Sequence, residues 1–305
     1  MLKKIHPGAT IAVIAPAYSV NPEKLKKGME YIEHKGYKVK QYPSLSSSWR
    51  YFSAQDDQRA AEINACFADS EVSAIFCARG GWGSLRLLDK LNYQIIRDNP
   101  KALVGYSDIT TLQLAIWEQC NIPSFSGPMV AVEMGNAMAA LTEHHFWKQL
   151  NHKDKTHTLN QNDLSGTEFL NEGNAKSTLL GGCLSMISHL LGTVYCPSFE
   201  NCTLFIEDTG EDIYKIDRYL AHLKQADVFK KIKGLIVGKF NGCEDNSKPN
   251  FSIRELIEYY MEEINGPVLF NFPYGHDKEK ITLPIGGKIH IDCENFRLTL
   301  GNLFN

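Results

Sequence analysis

The chain has 305 residues, 43% of them hydrophobic and 22% charged, and a net charge of −3. That length supplies a packed core for one or two domains, and the charge balance lacks the basic footprint of a nucleic-acid binder. No run of 18 apolar residues occurs, so no transmembrane helix is expected.

"ATIAVIA" (9–15) is a continuous apolar run, as a strand covered on both faces requires. The preceding "MLKK" gives it the look of a signal peptide, but His6-Pro7-Gly8 interrupts that pattern. Asn21-Pro22 offers an N-cap and a first-turn proline for a helix through about residue 35, closed by Gly36. "YKVKQY" reads as a second strand, 55–68 as a helix, "VSAIFCA" (72–78) as a third strand and "SLRLLDKL" as a short helix. "ALVGY" (102–106) is a fourth strand and "ITTLQLAIWEQC" (109–120) its helix. This alternation predicts an α/β domain over 1–150, a parallel sheet with helices on both faces.

The polar stretch 151–167 lacks apolar periodicity and reads as a linker. Beyond it, 168–305 forms a second α/β unit with a less regular sheet. Short strands near 168–181 lead to a helix, "CLSMISHLLG". "TLFIED" (203–208) precedes an amphipathic helix, and "GLIVGKF", a helix near 252–264, "PVLFNFPYG" and two closing strands around 286–300 follow.

Four segments carry candidate chemistry. Ser107, in "LVGYSDIT", sits between strand and helix. There it reads as a helix cap, or as a nucleophile on a tight turn relieved by Gly105. Ile109 stands where a G-x-S-x-G elbow has its second glycine, so the residues alone favour the cap. "CARGGWGS" (77–84) follows the neighbouring strand, and Gly80, Gly81 and Gly83 permit close backbone approach to a ligand, or simply a flexible connection. The spacing is not the G-x-G-x-x-G of a dinucleotide site. Glu207 and Asp208 end an apolar strand, and Asp212 caps the next helix, which leaves Glu207 unexplained. His276 follows an apolar strand through a turn made by Pro273 and Gly275. His144 and His145 are adjacent and share no helix face, and no H-E-x-x-H or comparable metal spacing occurs. The eight cysteines form no C-x-x-C pair and read as free thiols of a reducing compartment. A serine, a glutamate and a histidine after three strands, with a glycine-rich loop, are the parts of an acyl-transfer site.

"IAVIAPA", "AIFCARGGWGSLRLLD", "LVGYSDIT", "GGCLSMISHLLGT", "LFIEDTGEDIYKIDRYL", "GLIVGKF" and "PYGHDKEKITLPIG" together resemble the LD-carboxypeptidases, serine peptidases that remove D-alanine from cell-wall tetrapeptides. The blocks run in order over nearly the whole chain. The resemblance implies a triad of Ser107, His276 and Glu207, with an oxyanion hole from the N–H of Asp108 and one from Gly80 or Gly81. It implies an N-terminal domain like a class I glutamine amidotransferase, three layers of α/β/α, and a smaller swivelling C-terminal α/β domain, with the site between them. It also implies a cytoplasmic homodimer acting on small soluble muropeptides in murein recycling, with no metal or organic cofactor. Family members often carry asparagine where this chain has Cys183, which bears on specificity. Arg79, beside the glycines, is a candidate for the substrate's free carboxylate, or an ion-pair partner for its own loop. Two other functions are compatible. One is that of the related microcin C immunity peptidases, which cleave aminoacyl-nucleotide amides, though no long insertion between Ser107 and Glu207 suggests a nucleotide-stacking pocket. The other is a catalytically silent muropeptide-binding protein.

Overall fold

The alternation of apolar runs and helical patterns folds into two sheets. A computed structural model describes residues 2–150, 154–243 and 251–304. The first half supplies β1 (Thr10–Ile14), β2 (Lys38–Gln41), β3 (Val72–Cys77), β4 (Ala102–Gly105) and β5 (Ser124–Ser126). The second supplies β6 (Thr156–Leu159), β7 (Glu168–Asn171), β8 (Asn174–Cys183), β9 (Cys202–Thr209), β10 (Gly234–Asn241), β11 (Val268–Phe270), β12 (Leu283–Ile285), β13 (Lys288–Asp292) and β14 (Arg297–Gly301). The helices are α1 (Pro22–His34), α2 (Asp56–Ala68), α3 (Tyr93–Asp98), α4 (Thr110–Cys120), α5 (Ala140–Leu150), α6 (Leu184–Leu190), α7 (Ile213–Gln225), α8 (Val228–Lys231) and α9 (Ile253–Met261). "SLRLLDKL" is helical as expected, but as a 3₁₀ turn over Ser84–Lys90.

The N-terminal sheet runs β12-β5-β4-β3-β1-β2. Its first five strands in chain order are parallel, so the loops after β3 and β4 leave from the same edge. Local chemistry agrees: the Asn21 side chain accepts from the Lys24 N–H at 3.0 Å, with Pro22 opening α1. The C-terminal sheet runs β6-β14-β13-β8-β9-β10-β11-β7, parallel in β8 to β11 and antiparallel outside them. One core cluster runs through both halves.

Two segments depart from the expected organisation. Thr156–Leu159, inside the stretch read as a linker, is the edge strand β6 and pairs with β14. Its burial alternates strictly, but four residues are too few for that pattern to stand out in sequence. Leu283–Ile285 leaves the second half and pairs antiparallel with β5 of the first sheet. The chain between β11 and β12 therefore crosses from one lobe to the other.

The lobes also meet at α4, which packs on β8 and α6. The Thr110 hydroxyl, at the start of α4, accepts from the Cys183 N–H at 3.1 Å. Gly182 makes this approach possible, because its φ is +148° and a Cβ there would lie 2.3 Å from Thr110 Oγ1. Gly182→Ala should cost about 1–3 kcal/mol, as overpacking of a tight junction does. The check is the melting temperature by circular dichroism: a clear drop is expected, and an unchanged melt would contradict this packing.

Candidate active site

Ser107 follows β4 in a left-handed conformation, φ +64°, which a non-glycine residue adopts only under constraint. The constraint is visible on both sides. A Cβ on Gly105 would lie 3.0 Å from the Ile109 side chain, and one on Gly80 would lie 3.2 Å from Ser107 Oγ and 3.4 Å from the Asp108 nitrogen. The cap reading of Ser107 is not borne out, since neither the 3₁₀ turn over Ser107–Ile109 nor α4 has a side-chain cap. Asp108 does not cap either: its buried carboxylate accepts from the Ser84 N–H at 2.9 Å, tying the glycine loop to the serine turn. Burial raises the Asp108 carboxyl above its usual range.

Glu207 lies near the end of β9, paired in register with Cys183 of β8, and its side chain is 0% exposed. His276 Nδ1 lies 2.8 Å from Glu207 Oε2. With Nδ1 donating to that oxygen, Nε2 is the nitrogen left to accept a hydrogen bond. Glu207 Oε1 is buried without a hydrogen-bond partner among the described residues. Gly238 makes room for the pair, because a Cβ there would sit 3.2 Å from Glu207 Cβ and 2.5 Å from the Tyr274 carbonyl oxygen.

His276 stands on the segment that crosses between lobes. Tyr274 bonds Ser126 at one end of that segment, and β12 joins β5 at the other. The His276 ring packs edge-on against Tyr106, with centroids 5.0 Å apart. The expected triad is thus brought to one place. Ser107 and His276 line a common cavity of about 490 Å³, together with Gly80, Gly81, Lys24 and Arg79. Among the described residues no hydrogen bond joins Ser107 Oγ to His276. Among the described residues Arg79 forms no ion pair; it donates to the Ser19 carbonyl at 3.2 Å and lies over the Tyr18 ring.

Residues 11–127 match the LD-carboxypeptidase N-terminal domain, and residues 176–291 match the LD-carboxypeptidase C-terminal domain. The chain belongs to the LD-carboxypeptidase family. It is 34% identical to the probable murein peptide carboxypeptidase of Bacillus subtilis, over 94% of this chain and 89% of the relative. It is 28% identical to the microcin C7 self-immunity protein MccF of Escherichia coli, over 94% and 90% of the two chains. The fold superposes on the muramoyltetrapeptide carboxypeptidase of Oxalobacter formigenes with a TM-score of 0.86, at 27% identity, covering 97% of this chain and 100% of that one. As a member of this family of carboxypeptidases, the protein is a hydrolase.

Around this site, three groups that the sequence does not mark as parts of one network come together. Glu133, Lys280 and Tyr106 form a buried cluster directly behind His276. Nothing periodic marks Glu133, and Lys280 stands in a charged run that looks solvated.

Asp208, next to Glu207, holds the adjoining corner. It accepts from the Ser185 N–H at 2.8 Å and the Thr209 N–H at 2.9 Å, and Cys183 Sγ lies 3.4 Å away. Cys183 is buried in this corner and is not among the residues that line the Ser107 cavity. Burial, then the neighbouring Glu207 charge, pushes the Asp208 carboxyl from 3.8 up to about 6. The folded state therefore holds this proton more tightly than the unfolded chain does. The stabilising contribution is full below 3.8 and is lost as pH rises through about 6. Asp208→Asn should remove that dependence. Relative to the variant, the wild-type melting temperature should fall as pH is raised from about 4 to about 6.5. A difference that stays constant across this range would contradict the protonation of Asp208.

Proposed function

We propose that the protein is a serine-type LD-carboxypeptidase that hydrolyses the L,D-amide before the terminal D-alanine of murein tetrapeptides. The observation that carries this reading is the strained turn at Ser107 opening onto the same cavity as an imidazole anchored by a buried glutamate. Similarity to the probable murein peptide carboxypeptidase of Bacillus subtilis and the muramoyltetrapeptide carboxypeptidase of Oxalobacter formigenes supports the substrate class.

In this reading His276 Nε2 takes the proton from Ser107, whose Oγ attacks the carbonyl carbon of the scissile amide. Glu207 keeps the imidazole oriented and stabilises its charged form. The oxyanion develops against the N–H of Asp108 and one from Gly80 or Gly81, close to Ser107 Oγ. His276 then gives its proton to the departing D-alanine nitrogen. Water, deprotonated by the same imidazole, hydrolyses the acyl-enzyme and returns Ser107. Arg79, with no carboxylate partner among the described residues, is suited to grip the substrate's terminal carboxylate. The family resemblance, with eight free cysteines, supports a cytoplasmic homodimer. No helix among the described residues is long and apolar enough to cross a membrane.

The similarity to MccF supports a second reading, hydrolysis of an aminoacyl-nucleotide amide. Mass spectrometry with a UDP-linked tetrapeptide and an aminoacyl-sulfamoyl adenosine separates the two. D-Alanine release is expected from the tetrapeptide, and Ser107→Ala should lower its rate roughly 10⁴- to 10⁶-fold. Cleavage of the adenosine compound alone would favour the immunity-type activity, and a Ser107→Ala variant as active as wild type would end both.

A further inference from the structure

We propose that the Glu133–Lys280 pair, acting through Tyr106, positions the His276 imidazole, and that its two charges offset one another in their effect on that base. The inference rests on the reading of His276 as the general base.

The pair joins the two lobes at the place where the histidine needs support. Glu133 belongs to the first lobe and Lys280 to the crossing segment, four residues beyond His276. The Lys280 side chain is 0% exposed and that of Glu133 is 8% exposed, and the two are in direct contact. Glu133 Oε1 also accepts from the Tyr106 hydroxyl at 2.8 Å, and Oε2 accepts from the Met129 N–H at 2.9 Å. Lys280 Nζ lies 4.3 Å from the centre of the Tyr106 ring. The same ring meets the His276 ring edge-on. On its backbone Lys280 donates to Thr142 Oγ1 at 2.9 Å, and that hydroxyl donates to the Lys278 carbonyl at 3.2 Å. The segment carrying His276 is therefore fixed to the first lobe by a charge, a phenol and a hydroxyl.

A buried ion pair is weak evidence for stability, because an apolar pair of similar volume often serves as well. Its placement behind the proposed base gives it a different use. As a balanced pair, the two charges act on the imidazole with opposing signs. Either one alone would bias its protonation. A lone ammonium opposes the imidazolium, and a lone carboxylate favours it. Burial, then Glu133, holds the Tyr106 phenol well above its usual range, so the ring stays a neutral spacer and donor. The other charged groups near His276 are Glu207 from β9, Asp277 and Lys278 on its own segment, Lys24 from α1 and Arg79 after β3. None of these is altered by changes at the pair.

The test measures the rate at which a fluorophosphonate labels Ser107, with fluoride leaving as the Oγ–P bond forms, against pH by intact-mass spectrometry. D-Alanine release is followed in parallel. Glu133→Gln should move the acid limb of the labelling profile to lower pH, and Lys280→Met should move it to higher pH, each by roughly half a unit or more. The double variant should return the limb to near its wild-type place, with labelling and kcat down about ten- to a hundred-fold from lost orientation and KM within about twofold. Tyr106→Phe keeps both charges and should slow labelling about tenfold without moving the limb. If a single variant fails to fold, the double variant and Tyr106→Phe decide. Single variants that leave the limb in place, or move it the same way, overturn the balance of the two charges. Full labelling rates in the double variant and Tyr106→Phe overturn the positioning. A wild type that is not labelled removes the reading of Ser107 and His276 together with this inference. A labelled wild type that releases no D-alanine removes only the substrate reading.

Discussion

The candidate site depends on one stretch of chain leaving the second sheet and entering the first. Between β11 and β12 the backbone crosses the lobe boundary, and His276 lies on that crossing. β12 then pairs with β5, the neighbour of β4, whose end carries Ser107. The histidine is thus held near the serine by the ladder of the serine's own sheet. Its other nitrogen is held by Glu207 at the carboxyl end of a strand in the opposite sheet. A group that must contact both lobes is built on a segment that belongs to both. Elsewhere the lobes meet where a glycine permits close approach, as at Gly182 against Thr110, and through larger groups, as where Tyr93 stacks on Tyr195.

Electrostatics divides the acidic groups at this boundary by environment. Glu207 and Asp208 are adjacent in sequence, both buried, and point to opposite faces of β9, as alternation along a strand requires. Glu207 meets an imidazole, while Asp208 meets backbone N–H groups and a thiol. Glu133 meets an ammonium and a phenol. Each carboxylate has a different partner, so each can serve a different end: orienting a base, closing a corner, or fixing the crossing segment.

Much of this was legible in the sequence. Continuous apolar runs marked β1, β3 and β4, and the Asn21-Pro22 pair marked the start of α1. Ser107 and His276 follow strands and Glu207 lies near the end of one, so all three stand towards the carboxyl ends of strands. What stayed hidden is what tertiary pairing alone decides. β12 is three residues long and contains Pro284, so nothing local assigns it to the first sheet. β6 is a short polar edge strand inside a stretch that reads as a connector. Lys280, within "DKEK", has the composition of a solvated loop, and only the placement of Glu133 behind Tyr106 explains its burial. The serine was ambiguous because a cap and a nucleophile occupy the same sequence position. Backbone strain at φ +64° and the absence of a capping bond remove the cap reading, and neither is written in the residues.

The account's central claim is that the crossing segment delivers the imidazole to a serine on the opposite lobe. A crystal structure of the fluorophosphonate-treated protein tests it most directly. The account predicts phosphorus bonded to Ser107 Oγ, His276 Nε2 within about 3 Å of an adduct oxygen, and Nδ1 still on Glu207. An adduct on another residue, or an imidazole turned away from the phosphonate with Glu207 unpaired, would contradict it.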